Sequence, residues 1–137
     1  MVEKLTRGEL NLVLEVEKIE QKQVATVPWA AEEVMLAVPA KYKINRALSE
    51  YCYTFDEFLK RNKPGCRKPA VPLQRFEKEP FILLNAENDV HQRSLQICQH
   101  AGFTPEIKLL LRQMMTAYYL VCEGQGATSI SLISSAA

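Results

Sequence analysis

Apolar residues along this chain fall into short runs, and most of these runs predict β-strands. Over 10–16, leucine or valine recurs at every second position, which places those side chains on one face of a strand. The continuous apolar run over 34–38 predicts a strand covered on both faces, and Pro39 ends it because proline cannot donate the next ladder hydrogen bond. Similar runs predict strands over 81–84, 106–111 and 127–133.

Capping residues predict where the helices begin and end. Thr54 and Glu57 have the spacing of a capping box, so a helix should start there and run to about residue 61 or 62. Asp89 and Gln92 have the same spacing and predict the start of another helix, which Gly102 ends by adopting a positive φ. Further helices are predicted over 2–7 and 114–123.

The order of these elements predicts an α/β fold. From residue 80 onward strands alternate with helices of about ten residues, which is typical of sheets built by crossover connections. Residues 40–79 form a long, irregular connection around the helix that begins at Thr54. The pattern therefore predicts a mixed five-stranded sheet with flanking helices.

Composition and charge limit the classes of function. The chain has 137 residues and a formal net charge of +1, so it has no overall field that would hold a polyanion, and direct DNA binding is not expected. No apolar run is long enough to cross a bilayer, and the first eight residues do not resemble a secretory signal. The four cysteines lack a CxxC pair and are expected to be free thiols in the cytosol, with a Cys52–Cys66 bridge as the alternative.

Five stretches of the sequence together resemble the effector domain of LysR-type transcription regulators. Residues 69–84 resemble the family's loop and "EPFIL" strand, 100–107 its "xAGFxPxI" link, and 120–126 its "LVxxGxG" helix end. Upstream, 5–12 are similar to "LxxGELDL" and 33–39 to "ELVLAVP". Each motif is weak alone, but five in the right order over most of residues 5–131 are specific. The chain departs from the family in the connection from Pro39 to Pro80, which is longer than the family's usual one and leaves the alignment of residues 40–68 open. It also departs in Ser131-Leu132-Ile133, where the family often has proline.

This resemblance implies one lobe of a type 2 periplasmic-binding-protein-like fold. On the family's plan, residues 1–32 would be a remnant of the first lobe and its crossover, and 33–137 the second lobe of a single truncated effector-binding domain. A small-molecule effector, such as a carboxylic acid, would lie in the cleft between two lobes. Homodimers are implied, and DNA would be contacted only through a winged-helix domain that this chain lacks.

Candidate effector contacts lie beyond the carboxyl ends of two predicted strands. Helix N-termini at such positions present unpaired amides that favour anions. After the strand over 81–84 we expect Asn88, His91 and Gln92 to contact the effector, and the resemblance implies that the loop there faces the cleft. After the strand over 106–111 the candidates are Arg112, which can pair bidentately with a carboxylate, and Gln113. The alternative is that Asp89 and Gln92 only cap, His91 packs on its helix face, and Arg112 is solvated.

Catalysis, cofactors and metal binding have little support in the sequence. His91 and Cys98 are two helical turns apart, about 10 Å, which is too far for a thiolate–imidazole pair. No histidine or cysteine spacing matches a zinc site. Gly124 and Gly126 follow a helix rather than precede one, so they predict a helix stop and not a phosphate loop. The alternatives to effector sensing are a stand-alone protein-interaction or dimerisation module and, less favoured, an enzyme that reuses the binding-protein fold.

Overall fold

Four strands and five helices follow one another along the part of the chain that the structure describes. The structure is a computed structural model and describes residues 1–15 and 19–135, with side chains up to residue 132. Short 3-10 turns occur at Ser49–Tyr51 and Leu73–Phe76. In chain order the elements are α1 (Val2–Thr6), β1 (Ala30–Ala37), α2 (Ile44–Ala47), α3 (Phe55–Lys60), β2 (Pro80–Leu84), α4 (Asp89–His100), β3 (Glu106–Leu111), α5 (Met114–Cys122) and β4 (Thr128–Ser135).

The chain divides into two compact units. The larger is Glu33–Leu132, and the smaller comprises Met1–Glu32 with the residues from Ile133 onward. In the smaller unit, α1 ends before Gly8, whose φ of 76° is the left-handed conformation expected of a glycine after a helix.

The predicted strand over 10–16 is wrong for the residues that are described. Residues 10–15 form no strand, and Leu12 and Leu14 are exposed; Val16 lies outside the described residues. Alternating leucines make a strand possible, but a strand also needs a neighbour for its backbone N–H and C=O groups. The described chain therefore has four strands, β1 pairing with β4 and β2 with β3, and not the five that were predicted.

The larger unit is built around β2. This strand runs parallel to β3, with Leu84 beside Leu111, and the register shifts between Phe81 and Ile82. On its other side β2 meets Ala127, whose N–H donates to the Pro80 carbonyl at 2.9 Å and whose carbonyl accepts from Ile82 at 2.8 Å. Strand β2 is therefore internal, which agrees with its uninterrupted apolar sequence.

Both faces of β2 are covered. Phe81 and Leu83 belong to a buried cluster with Cys98 of α4 and with Leu48 and Phe76 of the long connection. Because side chains alternate along a strand, Ile82 and Leu84 lie on the opposite face. The connection from β2 to β3 and the connection from β3 to Ala127 cross the sheet in opposite directions. Because parallel crossovers are almost always right-handed, the helices of these two connections lie on opposite faces, and α5 covers the face of Ile82 and Leu84.

The long connection before β2 is tied down by polar contacts. The predicted capping box is confirmed: Thr54 N–H donates to Glu57 Oε2 at 2.7 Å, and Glu57 N–H donates to Thr54 Oγ1 at 3.3 Å. Glu33 of β1 accepts from Arg67 at 2.6 Å and also forms an ion pair with Arg61, Nε to Oε2, at 3.5 Å. These contacts hold α3 and the loop after it against β1.

Glu57 gives stability that depends on pH. The Thr54 N–H bond, followed by the Lys68 ammonium, lowers the pKa of Glu57 below its ordinary 4.5. The carboxylate is therefore bound more strongly in the folded state, and its contribution is present above the ordinary pKa and lost as the pH falls through the lowered one. We expect Glu57→Gln to reduce the free energy of urea unfolding at neutral pH and to have a smaller effect in acid. Asp56→Asn, in the same helical turn, is the control, and an equal loss at both pH values would contradict the assignment.

Candidate functional site

Two turns meet beyond the carboxyl ends of β2 and β3. Asn85, directly after β2, donates its N–H to the carbonyl of Leu111, the last residue of β3, at 2.8 Å. The parallel register already aligns Leu84 with Leu111, so both strands end at the same edge. The turn over 85–88 leads into α4, and Arg112 and Gln113 lead into α5. Two helix N-termini therefore start from neighbouring positions at this edge.

The start of α4 is capped by a side chain of the same segment. Asn88 is the N-cap, and its Oδ1 accepts from the Val90 N–H at 2.9 Å. The prediction that Asp89 caps and that Gln92 completes a capping box is wrong: Asp89 is the first helical residue, and Gln92 is exposed. Asparagine is as good a cap as aspartate, and here Asn88 has the extended backbone that the position requires.

His91 connects the first turn of α4 to the end of β2. Its ring is buried, and Nδ1 lies 2.7 Å from the Leu84 carbonyl oxygen. Because a carbonyl can only accept, Nδ1 carries the proton. The same residue's N–H bonds to the Asn88 carbonyl at 3.0 Å. His91 therefore fixes the helix start relative to the strand end, in addition to any contact with a ligand.

The start of α5 is more open. Gln113 is its N-cap, with extended backbone, and the side chain makes no capping hydrogen bond. Arg112 and Gln113 are both exposed, and the first turn contains no acidic residue. The amides of the first helical turn have no intrahelical acceptor, so this end favours a negative charge. In contrast, Glu87 and Asp89 are exposed beside the start of α4.

The five predicted contact residues thus divide between two neighbouring turns. Asn88, His91 and Gln92 are at the start of α4, and Arg112 and Gln113 precede α5. Two open depressions of the surface lie elsewhere, one beside α3 and one at residues 72–79, and neither includes these five residues. The sequence did not show the Asn85–Leu111 bond, because it depends on the register between the strands.

Among the other reactive side chains, the Cys98 thiol is buried in the core. Burial raises the pKa of the Cys98 thiol, which favours the neutral form and not the nucleophilic thiolate. All four cysteines are free. Among the described residues no group of three or more histidine, cysteine and acidic side chains could hold a metal ion, and no helix there is long and apolar enough to cross a membrane.

Gly124 and Gly126 have different roles. Gly124 has a φ of 79° after α5, as expected of a helix stop. Gly126 has no positive φ; a Cβ there would lie 2.8 Å from the Pro80 carbonyl oxygen. Its small size allows the chain to approach β2, so the predicted helix stop applies to Gly124 and a different reason applies to Gly126.

An internal parallel strand with two helix N-termini at its carboxyl edge is the organisation of α/β ligand-binding domains. The sequence pattern of the LysR substrate binding domain family matches residues 1–136. The chain belongs to this family, which is not an enzyme family, and the resemblance drawn from the five motifs is confirmed.

Two known proteins illustrate this relationship. The chain is 31% identical over 128 residues to a protein of Bacillus subtilis (strain 168) described as the uncharacterized HTH-type transcriptional regulator YcgK, and the match covers 93% of this chain and 39% of that protein. Among solved structures, the BenM effector binding domain with its effector benzoate is similar, with a TM-score of 0.53 and 17% identity over 94% of this chain and 50% of that one. The second likeness shows the mixed α/β effector-domain fold. The chain spans about two fifths of the length of the curated relative.

Proposed function

We propose that this chain is the ligand-sensing part of a cytosolic LysR-type transcription regulator. The family match and a relative described as an HTH-type regulator support this assignment. A small effector would shift the population between two arrangements of the domain, and this shift would change how DNA-binding domains of the whole protein are presented. DNA contact is assigned to another domain, because the net charge of this chain is only +1.

The observation that carries the proposal is the meeting of the two turns at the edge of β2 and β3. Helices α4 and α5 leave this edge toward opposite faces of the sheet, and ligands of α/β sheets bind in the crevice at such a point. The bond from Asn85 N–H to the Leu111 carbonyl keeps the two turns together. The proposed effector contacts are Asn88, His91, Gln92, Arg112 and Gln113.

The charges around these turns favour a carboxylic acid bound with its carboxylate at α5. Arg112, the Gln113 amide group and the open amides of the first turn of α5 are all hydrogen-bond donors. The start of α4 is capped by Asn88 and flanked by Glu87 and Asp89, so it suits the uncharged part of the ligand. Benzoate, the effector named for the BenM domain, has both parts and is a suitable first probe.

The test is a titration of the ¹⁵N-labelled chain with benzoate and a panel of other small carboxylic acids, followed by NMR. We expect amide shifts confined to residues 85–92 and 112–116, and weaker shifts with the uncharged analogue benzamide. Arg112→Gln should weaken binding of the responding acid at least tenfold, which corresponds to about 1.4 kcal/mol. Arg75→Gln, an exposed arginine in another turn, is the matched control. No shift at these amides with any acid, or equal losses in the two variants, would contradict the proposal.

A homodimer is part of the proposal and is supported by the free edge of β3. This strand pairs with β2 on one side, and no described strand pairs with its other side. Ile107, Leu109 and Leu110 of this strand are exposed. An exposed apolar edge is a site where another chain binds. The same edge is the observation that favours the alternative function, a protein-interaction module.

Self-association tests the role of this edge. Leu110→Lys introduces a charge at the most exposed apolar position of β3, where 54% of the residue is accessible. We expect it to weaken the homodimer at least tenfold in sedimentation experiments, whereas Lys108→Glu, on the same strand, should have a smaller effect. Retained dimerisation in Leu110→Lys would place the dimer interface elsewhere. Tight capture of a different protein, with no response to any acid, would support the interaction module.

A further inference from the structure

The start of α4 offers hydrogen-bond acceptors, whereas the start of α5 offers donors. At α4, Nδ1–H of His91 donates to the Leu84 carbonyl at 2.7 Å. A neutral imidazole whose proton is on Nδ1 has a lone pair on Nε2, and no described residue bonds to this nitrogen. The carboxylates of Glu87 and Asp89 are further acceptors beside it, and both residues are exposed.

Nε2 of His91 is nearly buried but can be reached from solvent. The residue is 8% exposed, and Nε2 is not one of the side-chain atoms that are inaccessible to solvent and lack a hydrogen bond. The ring lies at the carboxyl end of β2, because Nδ1 meets the last carbonyl of that strand. A polar atom that loses water without gaining a partner costs free energy. A ligand that covers this edge therefore binds more tightly if it supplies a donor to Nε2.

A neutral hydroxyl is the donor that this position favours. An ammonium group can also donate, but removing a charge from water costs more than removing a hydroxyl, unless an opposite charge is buried with it. Glu87 and Asp89 are exposed, so water and salt screen their attraction for a cation. The hydroxyl meets the lone pair of Nε2 without this cost.

We infer that the effector is a hydroxy acid whose carboxylate binds at the start of α5 and whose hydroxyl donates to Nε2 of His91. The inference rests on the proposed function and adds the chemical group that binds at α4. Leu84 lies beside Leu111 in the parallel pair, and neighbouring strands are about 5 Å apart, so the hydroxyl must be remote from the carboxylate. Meta- and para-hydroxybenzoate meet this requirement, whereas the hydroxyl of ortho-hydroxybenzoate donates to its own carboxylate.

The test compares each hydroxybenzoate with its methoxy counterpart, which cannot donate, and with benzoate, which has no substituent. Dissociation constants are taken from NMR shifts of the amides over 112–116. We expect meta- or para-hydroxybenzoate to bind at least fivefold more tightly than both references, which corresponds to about 1 kcal/mol, and ortho-hydroxybenzoate to show no such gain. Acids that bind at these amides without this preference would overturn the inference and leave the proposed function standing. No shift with any acid would overturn both.

His91→Asn removes the acceptor while keeping the bond to β2. The asparagine amide reaches about as far as Nδ1, so its N–H can still donate to the Leu84 carbonyl, but no atom replaces Nε2. We expect the preference for the hydroxy acid over its methoxy counterpart to disappear in this variant. His100→Asn is the matched control, because Nδ1 of the exposed His100 also bonds to a helix carbonyl, that of Gln96, at 2.8 Å. It should keep the preference, and a preference that survives in His91→Asn would contradict the inference.

The imidazole itself gives a readout that needs no variant. A long-range ¹H–¹⁵N spectrum shows which ring nitrogen carries the proton, and we expect Nδ1 for His91 at a pH of about 8, where imidazole is ordinarily neutral. The Nε2 resonance should shift when meta- or para-hydroxybenzoate binds, and much less with the methoxy acids. A proton on Nε2 in the free chain would overturn the inference, because this nitrogen would then be a donor.

Discussion

Gly126→Ala is expected to lower the free energy of unfolding by about 1–3 kcal/mol, because the new methyl group would meet backbone and not a flexible side chain. A Cβ at this position lies 2.8 Å from the Pro80 carbonyl oxygen and 3.2 Å from Cγ1 of Ile82. The chain would have to move away from β2, which stretches the Ala127–Pro80 hydrogen bond. The buried bond from Thr128 Oγ1 to the Ile82 carbonyl, 2.6 Å long, would be stretched with it.

Urea unfolding measures this change, and Gly65→Ala is the matched control. Gly65 has a φ of 77°, and a Cβ there would have no neighbour within 4 Å. The comparison therefore gives the cost of a left-handed alanine without a steric conflict, about 1 kcal/mol. Gly126 has no positive φ, so its loss comes from the steric conflict alone, and no measurable loss at 126 would contradict close approach to β2 as the reason for this glycine.

Phe81→Ala should destabilise the chain by about 3–5 kcal/mol, the range for phenylalanine removed from a packed core. Phe81 is 1% exposed on the internal strand, and its ring centroid lies 6.1 Å from that of Phe103. Removing the ring leaves a cavity between β2, α4 and the long connection, because their residues form the same buried cluster. The measurement is again urea unfolding. The midpoint urea concentration should fall, whereas the slope of the unfolding free energy against urea concentration should stay unchanged.

Phe55→Ala removes the same side chain from an exposed position. Phe55 is the first residue of α3 and is 75% exposed. Its loss should change stability by less than about 0.5 kcal/mol, as expected of surface positions. A comparable loss for both variants would mean that the β2 cluster is not the core of the larger unit.

Local patterns were sufficient for the elements whose signals are contained in a few neighbouring residues. The capping box at Thr54, the apolar run of β2 and the glycine ends of α1, α4 and α5 were all predicted and are present. The five family motifs were sufficient to identify the LysR substrate binding domain family. In each case the information lies within one segment, or in the order of segments along the chain.

Contacts between distant segments were decided only by the tertiary structure. Leucines at every second position over 10–15 fit a strand, but no strand of the described residues pairs with them. Asn88 caps α4 in place of the equally suitable Asp89, because the path of the chain after β2 puts Asn88 at the N-cap position. The Asn85–Leu111 bond that joins the two turns, and the close approach that requires glycine at 126, both depend on which strands are neighbours and in what register. A hydrogen bond or a steric conflict between residues far apart in sequence exists only once the fold brings them together, so the sequence alone could offer candidate residues but not their arrangement.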